Sequence, residues 1–147
     1  MSYSTGEARI LEIIRLHADY DTTNSDRQDW KILHSGKSDR YAILRPGAWS
    51  NTANGLGGAF LRNWTTVVEV WVPYRDDTRP LTLQAAVNDL LAHLEKYPTL
   101  NSLTSVQDAM IAGGNEMQER ELNNGSLWAV WELNCEWHEE TAVTFAE

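Results

Sequence analysis

Cysteine occurs once, as Cys135, so no disulfide can form within the chain, and this usage fits a reducing compartment or indifference to redox state. Apolar runs break off after a few residues, which excludes a membrane-spanning helix and sets the expectation of no membrane partner. The opening residues, Met1 to Glu7, hold no basic stretch followed by an apolar one, so a secretory signal is not expected. Basic residues are scarce: 12 Lys and Arg stand against 21 Asp and Glu, a formal charge of −9 with a pI near 4.8. That sign argues against binding nucleic acid by neutralising phosphates. Only 2 Phe occur, yet there are 7 Trp. What remains is ordinary: 147 residues, 42% hydrophobic and 22% charged, enough for one domain over 1–147 around one core.

Ser4 to Glu7 has the Ser-x-x-Glu form of a capping box. Ile10, Leu11, Ile13, Ile14 and Ala18 follow at helical spacing, predicting a first helix over 6–19. Residues 20–40 are polar and read mostly as a flexible loop. Tyr41 to Leu44 reads as a short strand stopped by Pro46-Gly47, and 47–62 as a long flexible loop. Trp64 to Tyr74 alternates as a strand, with Trp64, Thr66, Val68, Val70 and Val72 on one face and Val67, Glu69 and Trp71 on the other. Leu83, Val87, Leu90, Leu91 and Leu94 make the apolar stripe of a second helix over 81–97, with Pro80 in its first turn and Pro98 ending it. Val106 to Ile111 predicts a third strand, interrupted at Gly113-Gly114, and Asn123-Asn124-Gly125 a hairpin turn. The last strand has Leu127, Ala129, Trp131, Leu133, Cys135 and Trp137 on one side, Trp128, Val130, Glu132, Asn134, Glu136 and His138 on the other. The expected fold is α+β in the order α-β-β-α-β-β, a four-stranded, mainly antiparallel sheet with both helices on one face.

Few residues invite chemistry. Cys135 and His138 lie three apart among glutamates, but that spacing on a strand sends them to opposite faces, so no metal site is expected. His17, His34 and His93 fall on separate elements. Gly55-Leu56-Gly57-Gly58 lacks the Lys-Ser/Thr of a phosphate loop. Glu69 and Glu132 could face each other across neighbouring strands, the minimum for a two-carboxylate hydrolase, yet nothing else marks a cleft. No catalytic residue, cofactor or metal ligand is therefore assigned, and the chain is expected not to be an enzyme. Trp64, Trp131 and Trp137 read as core; tryptophans left exposed would suit a monomeric module binding sugars or small ligands.

Two helices can cover one face of four strands and not both. The second face would then leave Val67, Trp71, Trp128 and Val130 open, unless the first helix or residues 20–40 folds across it. The expectation taken is that another polypeptide covers it, with Arg45, Trp49 and Phe60 joining those four in a subunit interface. Charge is uneven as well: residues 116–147 carry a net −7 and residues 27–45 a net +3. Opposite patches on one subunit suit head-to-tail contacts, which can close into rings.

The whole chain resembles a tail terminator (tail-completion) protein of long-tailed bacteriophages, or a related neck protein. The resemblance lies in size, acidity and element order: a helix over 6–19, a first hairpin with the loop 47–62, a helix over 81–97, and a closing hairpin ending Trp128-Ala-Val-Trp131-Glu-Leu-Asn-Cys-Glu-Trp137. It implies a virion structural protein, present in the host cytoplasm during assembly, whose copies form a ring, usually a hexamer. Its partners would be the tail tube protein and the head connector or neighbouring neck proteins, with DNA passing through the lumen without specific binding. A head-closure protein and a tube subunit are the nearest alternatives. The loop 47–62 would reach a neighbouring subunit or the tube, and acidic side chains near the C-terminus would face the channel.

Overall fold

A computed structural model describes residues 2–35, 38–53, 59–73 and 79–142. Among these residues the fold is α+β: a six-stranded mixed sheet, two α-helices and one 3-10 helix. In chain order these are α1 (Tyr3–Arg15), β1 (Ser25–Arg27), the 3-10 helix (Trp30–Ser35), β2 (Tyr41–Ala53), β3 (Ala59–Pro73), α2 (Arg79–Leu94), β4 (Val106–Gly114), β5 (Gln118–Glu121) and β6 (Leu127–Ala142). The strands lie in the order β1-β2-β3-β6-β4, with β5 also pairing β6; only the β1–β2 contact is parallel.

β3 and β6 lie at the centre of the sheet and carry apolar side chains on both faces, as strands buried on both sides must, and the first residues of β2 do the same. Their antiparallel register runs without a break from Ala59 opposite Ala142 to Pro73 opposite Trp128. On the first face, Ile10, Ile13 and Ile14 of α1 and Leu83, Ala86 and Leu90 of α2 pack on Ala42, Leu44, Val68, Val70, Leu133 and Trp137. Both helices cover this side, as the pattern of apolar positions requires.

The four-stranded sheet expected from the sequence is too small. Residues 20–40 are not a bare loop: they supply β1 and the 3-10 helix, whose Leu33 is buried. β2 does not stop at Pro46-Gly47. A bulge between Pro46 and Trp49 carries it on to Ala53, and β3 begins at Ala59 rather than Trp64. Pro46 is tolerated because β1 pairs only with Ala42 to Leu44, so β2 is an edge strand there and no ladder bond is lost. Most of the expected 47–62 loop is therefore hairpin; Asn54 to Gly58 lie outside the described residues.

α1 starts earlier than the capping box implies, with Ser2 at its N-cap and no side-chain cap bond. Glu7 does not fold back on the helix end. It is fully buried, accepting from the Tyr3 hydroxyl at 2.6 Å and from Arg27 Nε at 2.8 Å. A long-range ion pair has displaced a local cap. One helical turn also meets the core with no clearance: a Cβ on Gly6 would lie 2.2 Å from ring atoms of Trp137, itself fully buried. In an open helix Gly→Ala stabilises by about 1 kcal/mol. Here Gly6→Ala is expected to destabilise by about 1–3 kcal/mol through overpacking, read as a lower urea midpoint; a raised midpoint would contradict the packing.

Candidate functional site

Glu69 and Glu132 stand directly opposite each other on β3 and β6, on the face away from α1 and α2. Both are buried, at 2% and 5% exposure, so two carboxylates share a dry stretch of sheet. Their charge is met by two guanidiniums. Arg45 donates through Nε to Glu69 at 2.9 Å and lies 3.1 Å from Glu132 through Nη2. Arg120 of β5 sits 3.3 Å from Glu132 and 3.8 Å from Glu69, with its guanidinium over the Trp71 ring. Three neutral donors complete the set: Trp30 and Trp71 give their indole N–H to Glu69 at 2.7 and 3.1 Å, and Asn115 gives its amide to Glu132.

Burial pushes the Glu132 carboxyl up, but hydrogen bonds from Asn115 and Arg45, with the charges of Arg45 and Arg120, outweigh it and hold the group below the usual carboxylate range. Arg45 moves the opposite way: burial lowers it, and bonds to Glu69 and Glu132 more than offset that. A general acid needs a raised pKa in one of two carboxyls. Glu132 is held ionised instead, and two arginines fill the gap between the carboxylates where a substrate would sit. The sequence pointed to this pair and to Arg45; it did not point to Trp30, Asn115 and Arg120, which come from elements read as loop or broken strand.

The same arrangement closes the face expected to be open. Trp71 and Trp128 are 2% and 5% exposed, and Val67 and Val130 are equally buried. Leu33 of the 3-10 helix joins Tyr41, Ile43, Trp71, Trp128 and Val130 in a second core, with Ile32 and Leu122 against it. Trp128 meets Tyr41 and Trp71 edge-on at ring distances of 5.5 and 6.1 Å. This corrects the expectation of an uncovered apolar face: residues 20–40 fold over it, and Val67, Trp71, Trp128 and Val130 give no reason to invoke a second molecule. Arg45 is likewise engaged within the chain.

Trp49 is different. It lies past the β2 bulge, opposite Trp64, and is 62% exposed. It forms the outer end of an aromatic row on the helix-covered side: Trp49 to Trp64 at 6.0 Å, Trp64 to Trp137 at 6.0 Å, with Tyr3 stacked on Trp137. Arg62 spans this row, its guanidinium 5.1 Å from the half-buried Phe60 ring and 5.6 Å from Trp64, its Nε on Asn51 at 3.2 Å. On the opposite side of the hairpin, the cover of the 3-10 helix has ended. A hollow of about 430 Å³ lies there, lined by Trp49 with Ser50, Thr52, Asn63, Glu136 and His138 among others. Of the expected interface, Trp49 is exposed and Phe60 half-buried on this hairpin, while Trp71, Trp128 and Val130 come together in the second core.

The remaining candidates scatter. Cys135 sits in the helix-side core, where burial pushes its thiol up to about 12, while His138 is on the other face beside Asp108. His93 bonds the Ile13 carbonyl and meets His17 edge-on at 5.1 Å, and His34 contacts Asn124. Gly55 to Gly58 lie outside the described residues. Comparison with known proteins adds no assignment: no family model matches the chain, and no curated protein shows significant similarity to it.

Two outcomes follow from the buried charges and rings. A carboxyl whose folded pKa is depressed gives stability that is present above its unfolded value, near 4.5 for Glu132, and lost as pH falls through the folded one. The acid limb of a melting-temperature profile should therefore flatten below about pH 4.5 in Glu132→Gln relative to the parent; an unchanged limb would contradict the ionised network. Trp71→Glu combined with Trp128→Glu should abolish cooperative unfolding by circular dichroism, since each would place an unpaired charge in the second core. A double variant that keeps its transition would show that the rings are not interior.

Proposed function

We propose that the protein is a non-enzymatic, self-associating structural subunit, and specifically a ring-forming tail terminator of a long-tailed bacteriophage. Copies would cap the tail tube and join it to the head connector, leaving a lumen for DNA. The observation that carries this reading is the β2–β3 hairpin. Its strands run on past the cover of the 3-10 helix and hold a largely exposed tryptophan outward, on a chain whose other buried apolar faces are satisfied internally. An outward aromatic on an extended strand is what a subunit needs to grip a neighbour.

One further feature supports it. The paired carboxylates are locked by arginine, which suits a scaffold better than a hydrolase. In such a ring, exposed acids of the β4–β6 side (Glu116, Glu121 and Glu140) would make a lumen that repels DNA, letting it slide without adhering. A second reading has one observation in its favour: the hollow on the other side of the hairpin is lined by Trp49 together with the hydroxyl and amide residues Ser50, Thr52 and Asn63, a mixed lining that a sugar-binding module would use.

Light scattering and negative-stain micrographs of the purified chain separate the two. A closed ring with several times the 16.7 kDa chain mass is expected. A strict monomer that binds immobilised glycans would overturn the ring reading in favour of the module.

A further inference from the structure

Resting on the subunit reading above, we propose that copies dock head to tail, the Trp49 indole of one seating in an apolar hollow at the β4 edge of the next. The hollow has a volume of about 280 Å³ and lies where the C-terminal ends of α1 and α2 meet β4. Its walls are Ile13, Leu94, Tyr97, Leu100 and Ile111, with the charged Glu95 beside them. Sites for drug-sized ligands start near 300 Å³. This one is of the order that a single aromatic side chain fills, and such anchors in desolvated pockets dominate interface energetics.

The hollow is built rather than incidental. Leu100, Asn101 and Ser102 follow one another with φ of 50°, 57° and 62°, left-handed backbone that non-glycine residues rarely adopt. Arg9 of α1 holds them there, donating Nη1 to the carbonyls of Leu100 at 3.3 Å and Asn101 at 3.1 Å. The wall is thus fixed before anything enters, and strain of this kind gathers at sites that bind.

Knob and hole sit at opposite ends of one sheet. β1 pairs with β2 only as far as Leu44, so from Trp49 onward β2 is the outer strand; β4 is the outer strand on the far side. A chain cannot fill its own hollow with its own Trp49 across the width of four strands. Two different patches that fit each other define a heterologous contact, which propagates from copy to copy and closes when the rotation allows. Charge agrees in sign: Arg62 lies over Trp64, the ring against which the knob packs, and Glu95 lies beside the hole.

Sedimentation velocity on the full chain tests this with two variants. Trp49→Ala removes the knob, and Ala109→Phe fills the hollow, which Ala109 also lines. Each alone should weaken self-association by at least about tenfold. Mixed in equal amounts they should form a dimer and nothing larger, because one keeps a knob and the other a hole. The exchange pair Arg62→Glu and Glu95→Arg guards against a folding defect in Ala109→Phe: each should weaken assembly, and the doubly exchanged chain should recover it. Trp49→Ala assembling like the parent, or a mixture that stays monomeric, overturns the docking while leaving the subunit reading intact. A parent chain that is monomeric at every concentration overturns both. Free indole added to the parent should compete with assembly; indole that shifts the Ile111 methyl resonance while assembly is untouched marks the hollow as a small-ligand site and overturns the docking.

Discussion

The antiparallel pairing of β3 with β6 is the constraint on which every other contact depends. It is fifteen residues long with no register break, and each side chain's face follows from it. A slip by one residue would move Val68, Val70, Leu133 and Trp137 out from under the helices and carry Glu69 and Glu132 into the apolar core. That cost pins the register more firmly than the backbone bonds do. The two glutamates are acceptable only because the same register delivers Arg45 from β2 and Arg120 from β5 to the space between them. Removing one partner of a buried pair leaves an uncompensated charge, which costs about 3–5 kcal/mol. The network therefore acts as a register lock as well as a neutral floor under the 3-10 helix.

Long, regular elements were legible in the sequence and short, irregular ones were not. α2 and β6 were readable because Leu83 to Leu94 and Leu127 to His138 repeat one period over many residues. β2 past Pro46 was not, because Pro-Gly is a turn signal in most contexts and only the edge position with its bulge makes it a strand here. Residues 20–40 looked too polar to pack, yet Trp30, Ile32 and Leu33 within them were signal enough for a small cap, and they cover the face that was expected to stay open. The capping box at Ser4–Glu7 misled for a different reason: Glu7 finds Arg27, twenty residues away and invisible to a local pattern. Of the candidate interface, Trp49 and Phe60 stay on the accessible hairpin; the four residues of the second face are interior.

Closing the second face internally changes what an assembly would have to use. Its driving force would come from sheet edges rather than from a broad apolar face. The exposed aromatic of the β2 edge, the apolar hollow beside β4 walled by the left-handed segment 100–102, and an acid surplus carried mostly by solvated side chains are what the folded chain offers to a neighbour. Such contacts are modest singly and strong when repeated, as the proposed ring would require.

Amide hydrogen exchange on dilute and concentrated samples of the parent chain tests the central claim most directly. The account expects protection to rise with concentration at residues 49–53 and 94–111, and to stay high and unchanged at 67–72 and 128–133. Protection that rises at 67–72 and 128–133 would show a face completed only by a neighbour, and protection that rises nowhere would show a chain that works alone.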